Sequence, residues 1–140
     1  MNQDTTWIGE FSSDDRENIN SLREKQIFSI ENGDASTYSD LCTDDILLML
    51  QGNNTVLGKT DFYQCELNLF QKVKFGSIKQ TPIRVERQGN LAVEVGFQEL
   101  VLNPSAELSE NYKSQRKYCH VLRKTHEGWC FAVLMSNNSE

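Results

Sequence analysis

The chain has 140 residues, 38% hydrophobic and 24% charged, with 20 acidic against 14 basic side chains and a formal net charge of −6. That length supports one core burying roughly two thirds of the unfolded surface, and residues 1–140 read as a single domain. The cations are scattered, the tightest cluster being Lys113, Arg116, Lys117, Arg123 and Lys124, so the concentrated positive field that nucleic acid demands is missing and nucleic acid is excluded as a partner.

Residues 1–12 read as a polar arm whose two large apolar side chains, Trp7 and Phe11, pack onto the body. Ser13 or Asp14 is placed to cap a first helix, with Glu17 three residues after Asp14 in capping-box spacing and acidic residues in the first turn. Ile19, Leu22, Ile27 and Ile30 mark its apolar face, and Asn32-Gly33 marks its end, glycine being suited to the left-handed position after a helix. Asp34 caps a short second helix carrying Tyr38, Leu41 and Cys42 at i, i+3 and i+4. Residues 46–50 form a continuous apolar run of strand length. After the loop QGNNTVLGK, Thr60 caps a third helix, to about Val73, that buries Phe62, Cys65, Leu69 and Phe70.

The second half changes period from about 3.6 to 2, which predicts strands near 77–87, 91–102, 113–125 and 129–137. Gln88-Gly89-Asn90 and His126-Glu127-Gly128 are tight hairpin connections, so neighbouring strands run antiparallel, while 103–111 is a longer polar loop. Helices followed by a meander give an α+β domain with the helices on one face of the sheet. Cys42, Cys65, Cys119 and Cys130 are far apart and lie in apolar patterns, which reads as small buried hydrophobes in a reducing compartment. No apolar run approaches the roughly 20 residues of a membrane span and MNQDTTWIGE is no secretory leader, so the expected location is cytoplasmic, away from the membrane.

Asn32-Gly33-Asp34 between two helices, Asp44-Asp45 before the first strand, Gly58-Lys59 before the third helix, Ala92 with Gly96, and Gly128-Trp129 in the last hairpin together resemble the SnoaL-like and nuclear transport factor 2-like superfamily. The resemblance spans roughly residues 14–137. It implies a strongly curved antiparallel sheet wrapped as a cone around the helices, a cavity at the open end, and a homodimer formed through the sheet. Members include ketosteroid isomerases, polyketide cyclases, dehydratases and the association domain of calmodulin-dependent kinase II. Catalytic members hold a carboxylate or histidine inside an apolar cone, where desolvation lifts a carboxyl pKa toward neutrality. By the same resemblance, the ketosteroid isomerase base position holds Leu50, the oxyanion-hole tyrosine position holds Gln26, and the last-strand acid of the cyclases falls at Leu134 or Met135.

Several polar side chains remain as candidates. Gln26 lies in the middle of the first helix's apolar stripe, four residues from both Leu22 and Ile30, and either makes a structural hydrogen bond or lines a cavity. On the strand LAVEVGFQELVL the odd positions Leu91, Val93, Val95, Phe97 and Val101 form one apolar face on which Glu99 is the single charge. That makes Glu99 a candidate acid, base or ligand anchor, or else a surface residue paired with Arg116 near the strand's end. His120 is the one histidine in a strand, but both faces of 113–125 are mixed, so periodicity does not decide which side points inward. It is either a satisfied core residue or, beside Glu99, half of a carboxylate–imidazole pair. No metal-ligand spacing, nucleophile elbow or phosphate loop occurs, and no cofactor is expected.

Two functions follow. The first is a pocket for a small apolar or aromatic molecule, anchored by Gln26, Glu99, Tyr118 and His120 between Met49, Phe62 and Phe97, with cofactor-independent isomerase, cyclase or dehydratase chemistry as one use of it. The alternative is a non-enzymatic dimerisation or association module of the same fold. Composition does not separate them.

Overall fold

The computed structural model describes residues 4–105 and 110–139; the loop expected over 103–111 therefore lies partly outside the described residues. In chain order the elements are β1 (Thr6–Ile8), α1 (Ser13–Glu31), α2 (Ala35–Asp40), β2 (Cys42–Leu50), β3 (Val56–Leu57), α3 (Lys59–Lys72), β4 (Lys74–Gln88), β5 (Leu91–Asn103), β6 (Tyr112–Thr125) and β7 (Gly128–Asn138). The expected α+β architecture is present: three helices against one unclosed, seven-stranded sheet of order β1-β4-β5-β6-β7-β2-β3. The meander β4 to β7 is antiparallel, but the sheet also contains two parallel joins, β1 with β4 and β2 with β7. Register shifts at Phe75/Ser77, Pro82/Arg84, Val121/Leu122 and Cys42/Leu47 bend the strands and let the sheet curve around the helices.

The first helix begins earlier than the acidic run suggests. Ser12 is the N-cap, its Oγ accepting from the Asp15 amide at 3.0 Å while the Asp15 carboxylate accepts from the Ser12 amide at 3.2 Å. Tertiary contacts fix that register, because Asp15 also accepts from Trp129 Nε1, Lys124 Nζ and Arg87 Nη1 at 2.7–3.0 Å. The helix stops where the sequence indicates, with Gly33 at φ 64° and the Asp34 amide closing back on the Ser29 carbonyl at 2.8 Å. Asp34 then caps α2 through the Thr37 amide at 3.0 Å. In α3 the cap is Gly58, with Lys59 rather than Thr60 opening the helix.

The N-terminal arm joins the sheet as β1, pairing Trp7 with Val85. The core is continuous, running from Ile19 and Leu22 of α1 through Ile46, Phe62 and Val85 to Leu122 and Leu134. The cysteines are all free thiols, and only Cys42 is fully buried; the other three are partly exposed.

Candidate functional site

The inner face of the sheet is set by the register. Glu94, His120, Leu134 and Leu48 form one row across β5, β6, β7 and β2, and Gly96, Tyr118, Ser136 and Leu50 form the next. On β5 the even positions therefore point into the cone, and the odd, apolar face points out. This reverses the orientation expected for that strand. The more apolar face is the outer one because the inner face carries Glu94 and Gln98, whose carboxylate and amide oxygens accept hydrogen bonds inside the cone.

Glu94 is 3% exposed and fully engaged. Arg23 Nη2 and Nε donate to its two carboxylate oxygens at 2.6 and 2.9 Å, and Tyr118 Oη donates at 2.8 Å. Gly96 makes room for the phenol: a Cβ there would lie 2.8 Å from Tyr118 Oη. Burial and the neighbouring carboxylate push the Tyr118 pKa well above that of a free phenol. His120 stacks on Tyr118 at a ring separation of 4.4 Å and meets the edge of Phe131. Burial drives the imidazole pKa down to about 4, the Glu94 carboxylate pulling weakly the other way, so His120 is neutral at ordinary pH.

Above this cluster the cone holds a cavity of about 220 Å³. Leu48, Leu50, Leu100, Leu134, Phe70 and Phe75 are among its apolar walls. Among its polar lining residues, Gln26 of α1, Tyr38 of α2, Glu66 of α3 and His120 of β6 come from four different elements. Gln26 Nε2 donates to Tyr38 Oη at 3.0 Å, and Gln80 Nε2 donates to Gln26 Oε1 at 3.2 Å and to Gln98 Oε1 at 2.8 Å. This amide chain fixes the Tyr38 hydroxyl as an acceptor and leaves its proton without an acceptor among the described residues. An edge contact with Phe62 holds the ring, and burial, then the Glu66 carboxyl, keep the phenol protonated.

Glu66 is not among the sequence candidates, yet it is the one acidic side chain among the described residues that line the cavity. It is 4% exposed, faces the cavity, and has no hydrogen bond or ion pair among the described residues. Desolvation alone raises its pKa to about 7. The signal was available: Glu66 stands four residues after Phe62 and four before Phe70, the same mid-stripe spacing that marks Gln26.

The sequence candidates are placed as follows. Gln26 and His120 line the cavity. Tyr118 points inward but its hydroxyl is committed to Glu94. Phe62 is fully buried behind the cavity wall, against Tyr38. Met49 and Phe97 are corrections: both are exposed on the outer face of the sheet, 39% and 51% respectively. Glu99 is a third. It also faces outward, within 3.4 Å of Lys113 Nζ and 3.5 Å of Gln115 Nε2, so it forms no pair with His120 or Arg116. The positions that the resemblance gives to catalytic groups hold Leu50, Gln26 and Leu134, all in the cavity wall.

No family model matches the sequence, and no curated protein matches it. Solved structures do. A nuclear transport factor 2-like superfamily protein from Salmonella enterica serovar Typhimurium superposes with a TM-score of 0.81 at 14% identity, over 91% of this chain and 93% of that one. A ketosteroid isomerase-like protein from Erwinia carotovora atroseptica gives 0.80 at 18% identity, over 93% of this chain and 99% of that one. This chain has the nuclear transport factor 2-like fold. An NTF2-like protein with a cystatin-like fold from Novosphingobium aromaticivorans, at a TM-score of 0.69, 18% identity, and coverage of 91% and 83%, agrees. At these identities the likeness concerns the fold, and function has to be argued from the cavity. Among the described residues no helix is long and apolar enough to cross a membrane, and no cluster of three or more His, Cys, Asp or Glu side chains is placed to hold a metal ion.

Proposed function

We propose that this chain binds a small, largely apolar molecule in the cone and moves a proton on it without a cofactor, with Glu66 as the acid–base group. The observation that carries this reading is a carboxyl buried against a cavity, unpaired, and titrating near neutral pH. A structural carboxylate is normally paired, as Glu94 is; an unpaired one is tuned for proton exchange. For a carbonyl substrate, ionised Glu66 takes a proton from the carbon beside the carbonyl. The Tyr38 hydroxyl donates to the oxygen on which charge develops, with Gln26 holding the phenol in place. With a β,γ-unsaturated carbonyl compound, returning the proton from Glu66 to the γ-carbon shifts the double bond into conjugation; with a β-hydroxy carbonyl compound, the Glu66 proton passes to the departing hydroxyl, so the α,β double bond forms as water leaves. Neutral His120 offers a second polar contact. The likeness to a ketosteroid isomerase-like protein supports the same class of chemistry, carried here by a helix residue instead of the strand position that holds Leu50.

The test is exchange of the α-protons of 2-tetralone into D2O, followed by proton NMR. Protein-dependent exchange that rises through about pH 7 and is lost in Glu66→Gln supports the reading, and exchange indifferent to that substitution overturns it.

A dimer through the sheet is supported by the outer face. Val93, Val121, Val133 and Leu47 lie in one cross-strand row and Val95, Cys119, Met135 and Met49 in the next, with Phe97 and Leu91 exposed on the same side. An apolar face of that extent suits a second copy of the chain, and would join two cones back to back without closing either cavity. Sedimentation should give a dimer at micromolar concentration and a monomer for Phe97→Glu; a wild-type monomer would remove the dimer.

A further inference from the structure

Of the five cations of β6 three have an anion among the described residues and two do not: Lys117, which is exposed on the outer face opposite Phe97, and Arg116 on the inner face. Lys113 pairs with Glu99, Arg123 with Asp45 at 2.8 Å and Lys124 with Asp15 at 2.9 Å. Arg116 is different. It is half-buried on the inner face of the sheet, at the rim of the cavity, and among the described residues its one side-chain hydrogen bond is from Nε to Ser114 Oγ at 3.3 Å. Four of its five N–H donors are unused, and it has no carboxylate partner among the described residues. Glu99 shares a neighbouring surface depression with it but is held by Lys113 and Gln115. Burial works against the guanidinium charge, which nonetheless persists because arginine does not release its proton at ordinary pH.

The groups around Arg116 fit an anion. Its cross-strand neighbours on the inner face are Gln98 and Asn138, both with carboxamides at the cavity wall, and Ser136 lies one row deeper. The cavity thus grades from Glu66 and Tyr38 between hydrocarbon walls to a fork of guanidinium donors at the mouth. A dry cavity of about 150 Å³ is enough to hold benzene, so about 220 Å³ holds a body of one or two rings.

We infer that the ligand of this cavity is an apolar carboxylate whose one- or two-ring body lies in the cone and whose carboxylate is held by the Arg116 fork at the mouth. The inference rests on the cavity being a ligand site, and adds the class of molecule. A planar carboxylate takes two parallel N–H donors from a guanidinium, and such a charge-assisted pair is stronger than its neutral equivalent.

The test uses two probes of the same shape, 2-naphthoate and neutral 2-naphthamide, with binding to the full chain measured by calorimetry. Wild type should bind the carboxylate about tenfold or more tighter than the amide. Arg116→Gln should abolish that preference by weakening the carboxylate far more than the amide, and Arg116→Lys, which keeps the charge without the fork, should retain part of it. Equal affinity for the two probes, or a preference that survives Arg116→Gln, overturns the inference and leaves the pocket reading standing. Binding of neither probe overturns the pocket reading and the inference with it. Should Arg116→Gln fail to fold, the wild-type preference and Arg116→Lys decide the matter.

Discussion

The two ends of the cone treat charge in opposite ways. At the closed end Asp15 accepts from Trp129, Lys124, Arg87 and its own capping partner Ser12, and deeper in the sheet Glu94 is saturated by Arg23 and Tyr118. At the open end Glu66 and His120 meet the cavity without a side-chain hydrogen-bond partner among the described residues, and Arg116 meets it without an anion among them. Pairing holds the Asp15 carboxyl well below the usual carboxylate range, through Lys124 first and Trp129 next, whereas burial alone lifts Glu66 to about 7. The difference separates residues that build the fold from residues available to a ligand. Both ends contain buried acids, so burial by itself does not identify a site; the absence of a partner does.

The largest effect expected is at the closed end. Asp15→Ala removes the carboxylate half of the capping box, an indole hydrogen bond and two ion pairs, and should lower stability by about 3 kcal/mol in urea denaturation. Binding of any cavity ligand should be unchanged in the folded fraction. A loss of ligand affinity of similar size would mean that the two ends are coupled.

Glu66→Gln should do the reverse. The carboxyl titrates near 7 when folded and near 4.5 when unfolded, so the unfolded chain holds fewer protons between these values and wild-type stability falls as pH rises through the window. The variant should be more stable than wild type by about 2 kcal/mol at pH 8 and equal to it at about pH 4, below both pKa values, as read by thermal melts. Equal stability at both would place Glu66 in water.

His120 gives an effect of opposite slope, smaller down to about pH 5 because much of its equally large shift is expressed at lower pH. Its pKa is about 4 folded against 6.5 ordinarily, so the unfolded chain takes up the proton first and stability is lost as pH falls from 6.5 toward 4. His120→Phe should flatten that acid limb by about 1–2 kcal/mol. The smallest effect belongs to Glu99→Gln, on the outer face, where a change within about 0.5 kcal/mol and no change in ligand binding are expected.

Much of the fold was legible because local signals and tertiary demands agree. Asn32-Gly33-Asp34 ends one helix and caps the next as its residue types require, and the period change near residue 77 marks the meander. The faces of β5 were not legible, for a physical reason. A strand whose inner side meets polar partners and whose outer side is apolar inverts the usual pattern, and parity then sends every candidate on it to the wrong side. Glu99 and Phe97 were misplaced in this way, and Glu94 was passed over. Met49 lies on β2 in a run, Ile46 to Leu50, that is apolar on both faces, so parity there carried no signal. The partners that satisfy Glu94 come from α1 and β6, 71 and 24 residues away in sequence, which no local pattern reveals. Glu66 was legible by helical spacing, but only the cavity beside it distinguishes an acid without a partner from a buried acid with one.

The most direct measurement is the titration of Glu66 itself. In protein labelled with carboxyl-13C glutamate, the Glu66 resonance, identified by its loss in Glu66→Gln, can be followed from about pH 4 to about pH 9. A midpoint near 7 is expected for a desolvated, unpaired carboxyl facing the cavity. A midpoint near the ordinary 4.5 would show a hydrated or paired carboxylate and would contradict a proton-transfer site at the open end of the cone.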